Sequence, residues 1–264
     1  MTMNKALEVL KERGFFQQCT DVEGLSALMD KGPVTFYVGC DPTGPSLHIG
    51  HMVPFFALRH LRAMGHHGIA LVGGGTARIG DPSGKTEMRK MLSYEVLDQN
   101  TESIKKQLDK FIGFDGKSAF SVNNKDWLAD LNYIDFLREI GSQFSVNKML
   151  TFESYRKRME TGLSFIEFNY QLLQSFDYLN LHKKYNACLQ IGGDDQWGNI
   201  VAGIAPFSLF PIFWPSALVT SGNVRPYASS PVRRRIRSIP ATILPHWSSP
   251  PIWRQALYFL CRFR

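Results

Sequence analysis

Short apolar runs that end in glycine or polar loops alternate with helical patterns, and this alternation restricts the fold of the chain more than any other feature. The apolar runs are 35–39 (TFYVG), 69–74 (IALVGG) and 187–193 (ACLQIGG), and a further run, 118–124, precedes a helical pattern at 126–141. Strands that alternate with helices predict an α/β fold with a mostly parallel sheet and helices on both faces. In such a sheet, ligands bind beyond the carboxyl ends of the strands.

Two longer helical patterns lie between these runs. The first covers 49–64, where we predict an N-terminal cap from Ser46 or Thr43 and tolerance of Pro54 because it lies near the first turn. The second covers 94–113, where apolar residues recur at the spacing of one helix face.

The composition changes near residue 204. From Gln196 onward the chain has no Asp, Glu or Lys but eight Arg, and nine of the fourteen Pro lie after residue 204. The preceding 195 residues hold all 23 acidic residues beside 22 basic ones, so the net charge of +7 belongs to the later segment. We therefore predict a folded domain at 1–203 and a basic Pro/Ser/Arg-rich tail at 204–264 that is irregular.

Two interpretations of this tail remain open. It is a low-complexity basic segment that binds RNA or an anionic lipid surface, or it results from a shift of the coding frame near Gly203. The loss of every acidic residue and every lysine over about 60 residues is unusual for a folded α/β domain and favours the second interpretation.

Composition and cysteine spacing indicate a cytoplasmic protein. No apolar run reaches the length of a membrane helix, and the N-terminal segment resembles neither a signal peptide nor a transit peptide, since it carries Glu8 and Glu12. The four cysteines lie far apart and form no C-x-x-C pair, as is typical of free thiols in a reducing compartment.

The stretch 41–51, DPTGPSLHIGH, follows a predicted strand and begins a predicted helix. The backbone N–H groups and the dipole at a helix N-terminus attract anions, and His48 and His51 fall on one face of the first turn. Gly50 allows close approach to the backbone. No third ligand follows at metal-binding spacing, so we predict no metal site. A bound polyphosphate and two ordinary histidines are the alternatives.

Two further segments carry polar side chains in a regular pattern. The loop GGGTARIGDPSGKTEMRK ends with Lys85 and Arg89 four residues apart, and it places a second set of anion-binding groups beside the first. Further along, Tyr170, Gln174 and Asp177 form one stripe of a helix that begins with an S-x-x-E capping box. The stripe is either a solvated face or the wall of a polar pocket.

Taken together, DPTGPSLHIGH, GDPSGKTEMRK, SFIEFNYQLLQSFDY and LQIGGDDQWGN resemble the motifs of bacterial-type tyrosine–tRNA ligases, which are class I aminoacyl-tRNA synthetases. The resemblance covers roughly 35–203. It implies a Rossmann-like catalytic domain that has a helical insertion near 95–160 and is incomplete at its C-terminal side.

The resemblance also implies an activity. Enzymes of this kind join tyrosine to ATP, with Mg²⁺ accompanying the ATP as part of the substrate and no tightly bound cofactor, and then transfer the tyrosyl group to tRNA(Tyr). The implied catalytic residues are His48, His51, Thr43, Lys85 and Arg89. The implied ATP-binding residues are Gly39, Asp41, Gly50, Gly193 and Asp195.

A separate set of residues is implied to bind tyrosine. Asp81, Tyr170 and Gln174 would contact its ammonium group. Asp177 and Tyr37 would contact its phenolic oxygen. Gln196 would orient its carboxylate.

The chain departs from the family pattern in two places. Asp194 stands where the family has a small residue, and nothing after Gly203 resembles the lysine-containing loop that stabilises the activation transition state in the family. We therefore expect tyrosine activation to be strongly reduced. The alternative is a non-catalytic fragment that binds tyrosine, ATP or RNA. The family also implies a homodimer, formed around 95–160.

Overall fold

One mixed sheet organises the protein in the computed structural model, which describes residues 3–81, 91–204 and 216–220. Within these residues the sheet has six strands in the order β1-β6-β5-β2-β3-β4, and every neighbouring pair is parallel except β1 with β6. The strands are β1 (Gln18–Cys19), β2 (Thr35–Cys40), β3 (His67–Val72), β4 (Ala119–Asn123), β5 (Ala187–Gly193) and β6 (Ser216–Thr220). The predicted parallel α/β sheet is confirmed.

Helices connect the strands and cover the sheet. They are α1 (Lys5–Glu12), α2 (Val22–Lys31), α3 (Ile49–Ala63), α4 (Tyr94–Ile112), α5 (Lys125–Leu128), α6 (Tyr133–Glu139), α7 (Val146–Met149), α8 (Glu153–Thr161), α9 (Phe165–Phe168), α10 (Tyr170–Tyr185) and α11 (Trp197–Ala202). In the described part of the chain, three single 3₁₀ turns lie at Thr76–Arg78, Gly141–Gln143 and Asp194–Gln196.

Alternate residues of the central strands point to opposite faces of the sheet, and each face has its own core. Phe36 and Val38 of β2 pack in a cluster with apolar residues of α1, α2, α3 and α4. Tyr37 lies in a second cluster with residues of α6, α7, α8 and α10. Consecutive side chains of a strand point to opposite faces of the sheet. A core on each face therefore requires buried side chains on consecutive residues of β2. Helices therefore cover both faces, as predicted.

The start of α3 differs from the prediction. The N-cap is His48, not Ser46 or Thr43, and its imidazole accepts the backbone N–H of His51. The imidazole of His51 accepts the backbone N–H of His48 in return, so the two rings form a capping box. Histidine replaces the usual hydroxyl because Nδ1 is an acceptor within reach of the first turn.

The segment 126–141, for which we predicted one helix, forms two. Helix α5 ends at Leu128, and α6 starts at Tyr133. The side chain of Asn132 accepts the backbone N–H groups of Ile134 and Asp135, which caps a new helix and changes the direction of the chain.

A buried ion pair holds the turn that leads to α10. Arg158 and Glu167 are almost fully buried, and the guanidinium donates to both carboxylate oxygens, with Nη2 at 3.1 and 3.0 Å. Glu167 also accepts from the backbone N–H of Ser164, whose hydroxyl caps the Glu167 N–H. The predicted capping box is present, but it begins the separate helix α9 and not the helix that carries the polar stripe, which starts at Tyr170. The network positions the start of this second helix.

Strand β6 lies in the segment that we predicted to be irregular. It pairs with β5 from Leu189–Ser216 to Gly193–Thr220 and with β1 through Gln18 and Cys19. The structure corrects the prediction for these five residues. Without β6, the edge of β5 would present unpaired backbone N–H and C=O groups, and pairing with an extended segment such as β6 satisfies them. The described strand β6 belongs to the unit Met1–Val224, and residues 225–264 lie outside the described residues.

Two truncations test the contribution of β6. A chain that ends at residue 204 loses β6 and exposes the edge of β5, whereas a chain that ends at residue 224 keeps the unit Met1–Val224 complete. We expect the shorter chain to have a melting temperature lower by about 4–8 °C, the shift that corresponds to about 2 kcal/mol in a domain of this size. Hydrogen exchange at the amides of β5 should accelerate in the shorter chain alone. Equal melting temperatures for both chains would contradict this contribution.

Candidate functional site

A cavity of about 330 Å³ lies at the carboxyl ends of β2, β3 and β5. Thirteen of the residues predicted from the sequence line it: Tyr37, Gly39, Asp41, His48, Gly50, His51, Asp81, Tyr170, Gln174, Asp177, Gly193, Asp195 and Gln196. Thr43 is exposed and is not among the lining residues. Lys85 and Arg89 lie outside the described residues.

The parallel sheet explains why residues distant in the sequence meet here. Tyr37 on β2 is in register with Gln190 on β5, and both strands run toward the cavity. Helix α3 begins above the end of β2, and α10 packs its polar stripe across the same edge. The stripe formed by Tyr170, Gln174 and Asp177 is therefore a wall of the cavity, not a solvated face.

The carboxyl group of Asp177 is buried at the cavity, with 2% of the residue exposed. Asn124 Nδ2 donates to Oδ2 at 2.9 Å, and Trp127 Nε1 donates to Oδ1 at 2.8 Å. Burial, together with the negative charge of Asp41, raises the pKa of Asp177 to about 8, although the two hydrogen bonds act in the opposite direction. The buried position therefore favours the protonated form of this carboxyl group.

The hydroxyl of Tyr37 is also buried and has no hydrogen-bond partner among the residues that the structure describes. Its ring lies edge-on to Tyr178, with centroids 5.3 Å apart. Burial raises the pKa of Tyr37 well above its ordinary value, and the negative charge of Asp177 contributes in the same direction. Since buried hydroxyls are nearly always hydrogen-bonded, this one is available to a ligand.

A second carboxylate, Asp41, is held by two hydroxyl groups. Tyr170 donates to Oδ2 at 3.0 Å, and Thr76 donates to Oδ1 at 2.7 Å. Burial raises the pKa of Tyr170, and the charges of Asp41 and Asp81 raise it further, so this phenol remains a donor.

A third carboxylate, Asp81, is 7% exposed and accepts from two amides. Gln196 Nε2 lies 2.9 Å from Oδ2, and Asn199 Nδ2 lies 3.3 Å from Oδ1. With Asp195, the cavity has four carboxyl groups, and none of its described lining residues is Lys or Arg. The lining therefore favours a cationic group such as an ammonium ion.

The two histidines lie at the N-terminus of α3, on the open side of this acidic region. Their rings stack with centroids 3.5 Å apart. Because each Nδ1 accepts a backbone N–H, each neutral ring carries its proton on Nε2 and is a donor there. A side chain at Gly50 would lie 3.0 Å from the ring of His48, so the glycine keeps this arrangement open.

Sequence reasoning missed three polar residues of the cavity, namely Thr76, Asn124 and Gln190, and the Asp177 donor Trp127. Asn124 directly follows β4, so a polar residue at the carboxyl end of a predicted strand was an available signal. Thr76 and Gln190 gave no such signal, because a threonine in a glycine loop and a glutamine within a strand are common.

Other kinds of site receive no support from the described residues. Within residues 3–81, 91–204 and 216–220, no group of three or more His, Cys, Asp or Glu side chains could hold a metal ion. In the same ranges, no helix combines the length and apolar character needed to cross a membrane.

Comparison with known sequences agrees with the motifs. The family model described as tRNA synthetases class I (W and Y) matches residues 29–207, more than half of the chain. The chain is 73% identical to a tyrosine–tRNA ligase of Treponema denticola over 201 residues, which are 76% of this chain and 50% of that relative. A tyrosine–tRNA ligase of Treponema pallidum is 68% identical over 76% of this chain and 49% of its own length. The chain thus spans about half the length of the curated relatives it matches.

Solved structures agree with the fold. A C-terminally truncated mitochondrial tyrosyl-tRNA synthetase of Aspergillus nidulans superposes with a TM-score of 0.73 at 30% identity, over 83% of this chain and 70% of that one. A tyrosyl-tRNA synthetase of Archaeoglobus fulgidus complexed with L-tyrosine, at 20% identity, gives 0.65 over 83% of this chain and 65% of that one, and this supports the fold alone. The resemblance inferred from the motifs is confirmed, and the chain belongs to the class I tRNA synthetases of the tryptophan and tyrosine group.

Proposed function

We propose that the chain binds tyrosine in this cavity and activates it with ATP to tyrosyl-adenylate, as a tyrosine–tRNA ligase does. One observation carries the proposal: the buried carboxyl group of Asp177 and the unpartnered hydroxyl of Tyr37 line the same cavity. The tyrosine–tRNA ligases to which the chain is 73% and 68% identical support the choice of amino acid.

The chemistry of these two groups matches a phenol. A phenolic hydroxyl donates to the Asp177 carboxylate and accepts from the Tyr37 hydroxyl. Phenylalanine would leave the Tyr37 hydroxyl buried without a partner and would offer no donor to Asp177, which costs binding energy. An indole N–H donates but cannot accept, so tryptophan would leave Tyr37 without a partner.

The acidic part of the cavity suits the ammonium group of the amino acid. Asp81 supplies a carboxylate, Tyr170 supplies a phenol, and Gln174 lines the same wall. Gln196, which donates to Asp81 in the structure, would turn toward the tyrosine carboxylate.

The start of α3 suits the phosphates of ATP. The Nε2–H groups of His48 and His51, together with the helix dipole, would stabilise the charge that builds up on pyrophosphate. In the reaction a tyrosine carboxylate oxygen forms a bond to the α-phosphorus, and the bond from that phosphorus to the pyrophosphate oxygen breaks. Mg²⁺ would enter with ATP, bound mainly by phosphate oxygens.

The remaining ATP contacts are proposed from the family resemblance. They are Gly39, Asp41, Gly50, Gly193 and Asp195, with Thr43, Lys85 and Arg89 on the phosphate side. The acceptor tRNA(Tyr), a homodimer formed around 95–160 and a cytoplasmic location are proposed on the same basis.

Tyrosine-dependent exchange of pyrophosphate into ATP tests the proposal. We expect exchange above a control without tyrosine, at a rate well below that of the Treponema denticola relative. No lysine occurs after residue 195, so the lysine-containing loop that the family resemblance implies for stabilising the transition state has no counterpart in this sequence. Tyrosine binding without any exchange would support the second candidate, a non-catalytic binder. Absence of both binding and exchange would contradict the proposal.

Asp177→Asn tests the phenol site. The substitution keeps the shape of the side chain but replaces the carboxyl group, and we expect the Kd for tyrosine to rise by about 10- to 100-fold, the cost of a buried polar group that loses its hydrogen-bond partner. Calorimetry measures the change. The matched control is Asp135→Asn on the exposed side of α6, which should leave the Kd unaltered. An unchanged Kd in Asp177→Asn would exclude this residue from tyrosine binding.

The raised pKa of Asp177 predicts a pH-dependent stability. Between the ordinary carboxyl pKa of 3.8 and about 8, the folded state binds a proton at Asp177 that the unfolded state has released. The contribution of this group to the free energy of unfolding therefore decreases as the pH rises through that window. Compared with wild type, Asp177→Asn should become progressively more stable from pH 5 to pH 8 in urea denaturation. A constant difference between the two proteins would mean that the pKa is not raised.

A further inference from the structure

Thr76 lies between two of the carboxyl groups of the cavity. It begins the 3₁₀ turn after β3, is 2% exposed and lines the cavity. Its hydroxyl lies 2.7 Å from Asp41 Oδ1 and 2.9 Å from Asn124 Nδ2. The hydroxyl has one proton, which goes to the nearby carboxylate instead of the Gly73 carbonyl at 3.3 Å, and its lone pair accepts from Asn124.

Asn124 extends the chain of hydrogen bonds to Asp177. Its Nδ2 donates one proton to Thr76 and the other to Asp177 Oδ2 at 2.9 Å. Its Oδ1 accepts the backbone N–H of Gly75 at 2.7 Å, which assigns the orientation of the amide. The Asn124 amide is therefore held at both of its atoms, at Oδ1 by the Gly75 N–H and at Nδ2 by the Thr76 hydroxyl.

The result is a continuous network across the floor of the cavity. It runs from Tyr170 through Asp41, Thr76 and Asn124 to Asp177. Of these five side chains, Thr76 alone donates to one neighbour in the network, Asp41, and accepts from the other, Asn124. A valine in its place would fill the same space and break both contacts.

We propose that Thr76 is a positioning residue that orients Asp41 directly and Asp177 through Asn124, and thereby determines the affinity of the cavity for tyrosine. The inference rests on the proposed function for its ligand. It does not assign Thr76 a contact with the substrate.

Tyrosine binding by three variants gives the first test. Thr76→Val should raise the Kd for tyrosine by about 10- to 100-fold, and Thr76→Ser, which keeps the hydroxyl, should restore it to within about threefold of wild type. Thr101→Val is the matched control, because Thr101 is also 2% exposed and its hydroxyl bonds the Leu97 carbonyl of its own helix. Equal losses in Thr76→Val and Thr76→Ser would overturn the proposal, since packing and not the hydroxyl would then matter.

A measurement without ligand separates this inference from the proposed function. The indole N–H of Trp127 donates to Asp177, so its NMR signal reports the protonation of that carboxyl group. The signal is assigned by its loss in Trp127→Phe. Without the Thr76 hydroxyl the Asn124 amide is held at Oδ1 alone, which weakens its hydrogen bond to the charged carboxylate, so Thr76→Val should raise the midpoint of this titration above that of wild type.

The other titratable side chains near Asp177 are present in each variant, although Thr76→Val also removes the hydroxyl that donates to Asp41. They are Asp41, Tyr37 and Tyr170, and the Lys184 ammonium lies 4.9 Å from the Trp127 ring. A raised midpoint in Thr76→Val, absent in Thr76→Ser and Thr101→Val, supports the orienting role of Thr76 even where tyrosine fails to bind, a result that would refute the proposed function and the effect on tyrosine affinity but not the orientation. An unchanged midpoint in Thr76→Val overturns the inference.

Discussion

Parallel pairing of β2 with β3 and β5 is the constraint on which the site depends. It brings the carboxyl ends of three strands to one edge of the sheet, and the polar residues that follow those strands meet there. The pairing is stable because consecutive residues of β2 are buried in two different cores. A cavity wall made of strand ends is therefore supported from both faces of the sheet.

The cavity concentrates negative charge in a buried setting, and hydrogen bonds make this arrangement tolerable. Asp41 accepts from two hydroxyls, Asp81 from two amides, and Asp177 from an amide and an indole. Burial still outweighs the two donors at Asp177, as its raised pKa shows. The unsatisfied preference for a positive charge and a phenolic partner is the physical basis of the proposed binding of tyrosine.

Local patterns predicted the parts of the site that short-range physics controls. The apolar runs predicted four of the strands, and the S-x-x-E pattern predicted the capping box before α10. The prediction for 126–141 was wrong where Asn132 caps a second helix, because periodicity does not register a capping side chain. The strand within the tail was also missed, since it pairs with the edge of β5, a contact that no local pattern in the tail contains.

The sequence by itself determined the secondary structure around the cavity, the family motifs and the one-sided arrangement of Tyr170, Gln174 and Asp177, because these follow from spacing along the chain. Only the tertiary structure decided that this stripe faces a cavity and that Thr76 and Asn124 join its two ends. Those contacts link residues about 50 positions apart in the chain, and such distances are set by sheet register and helix packing, which no local pattern contains.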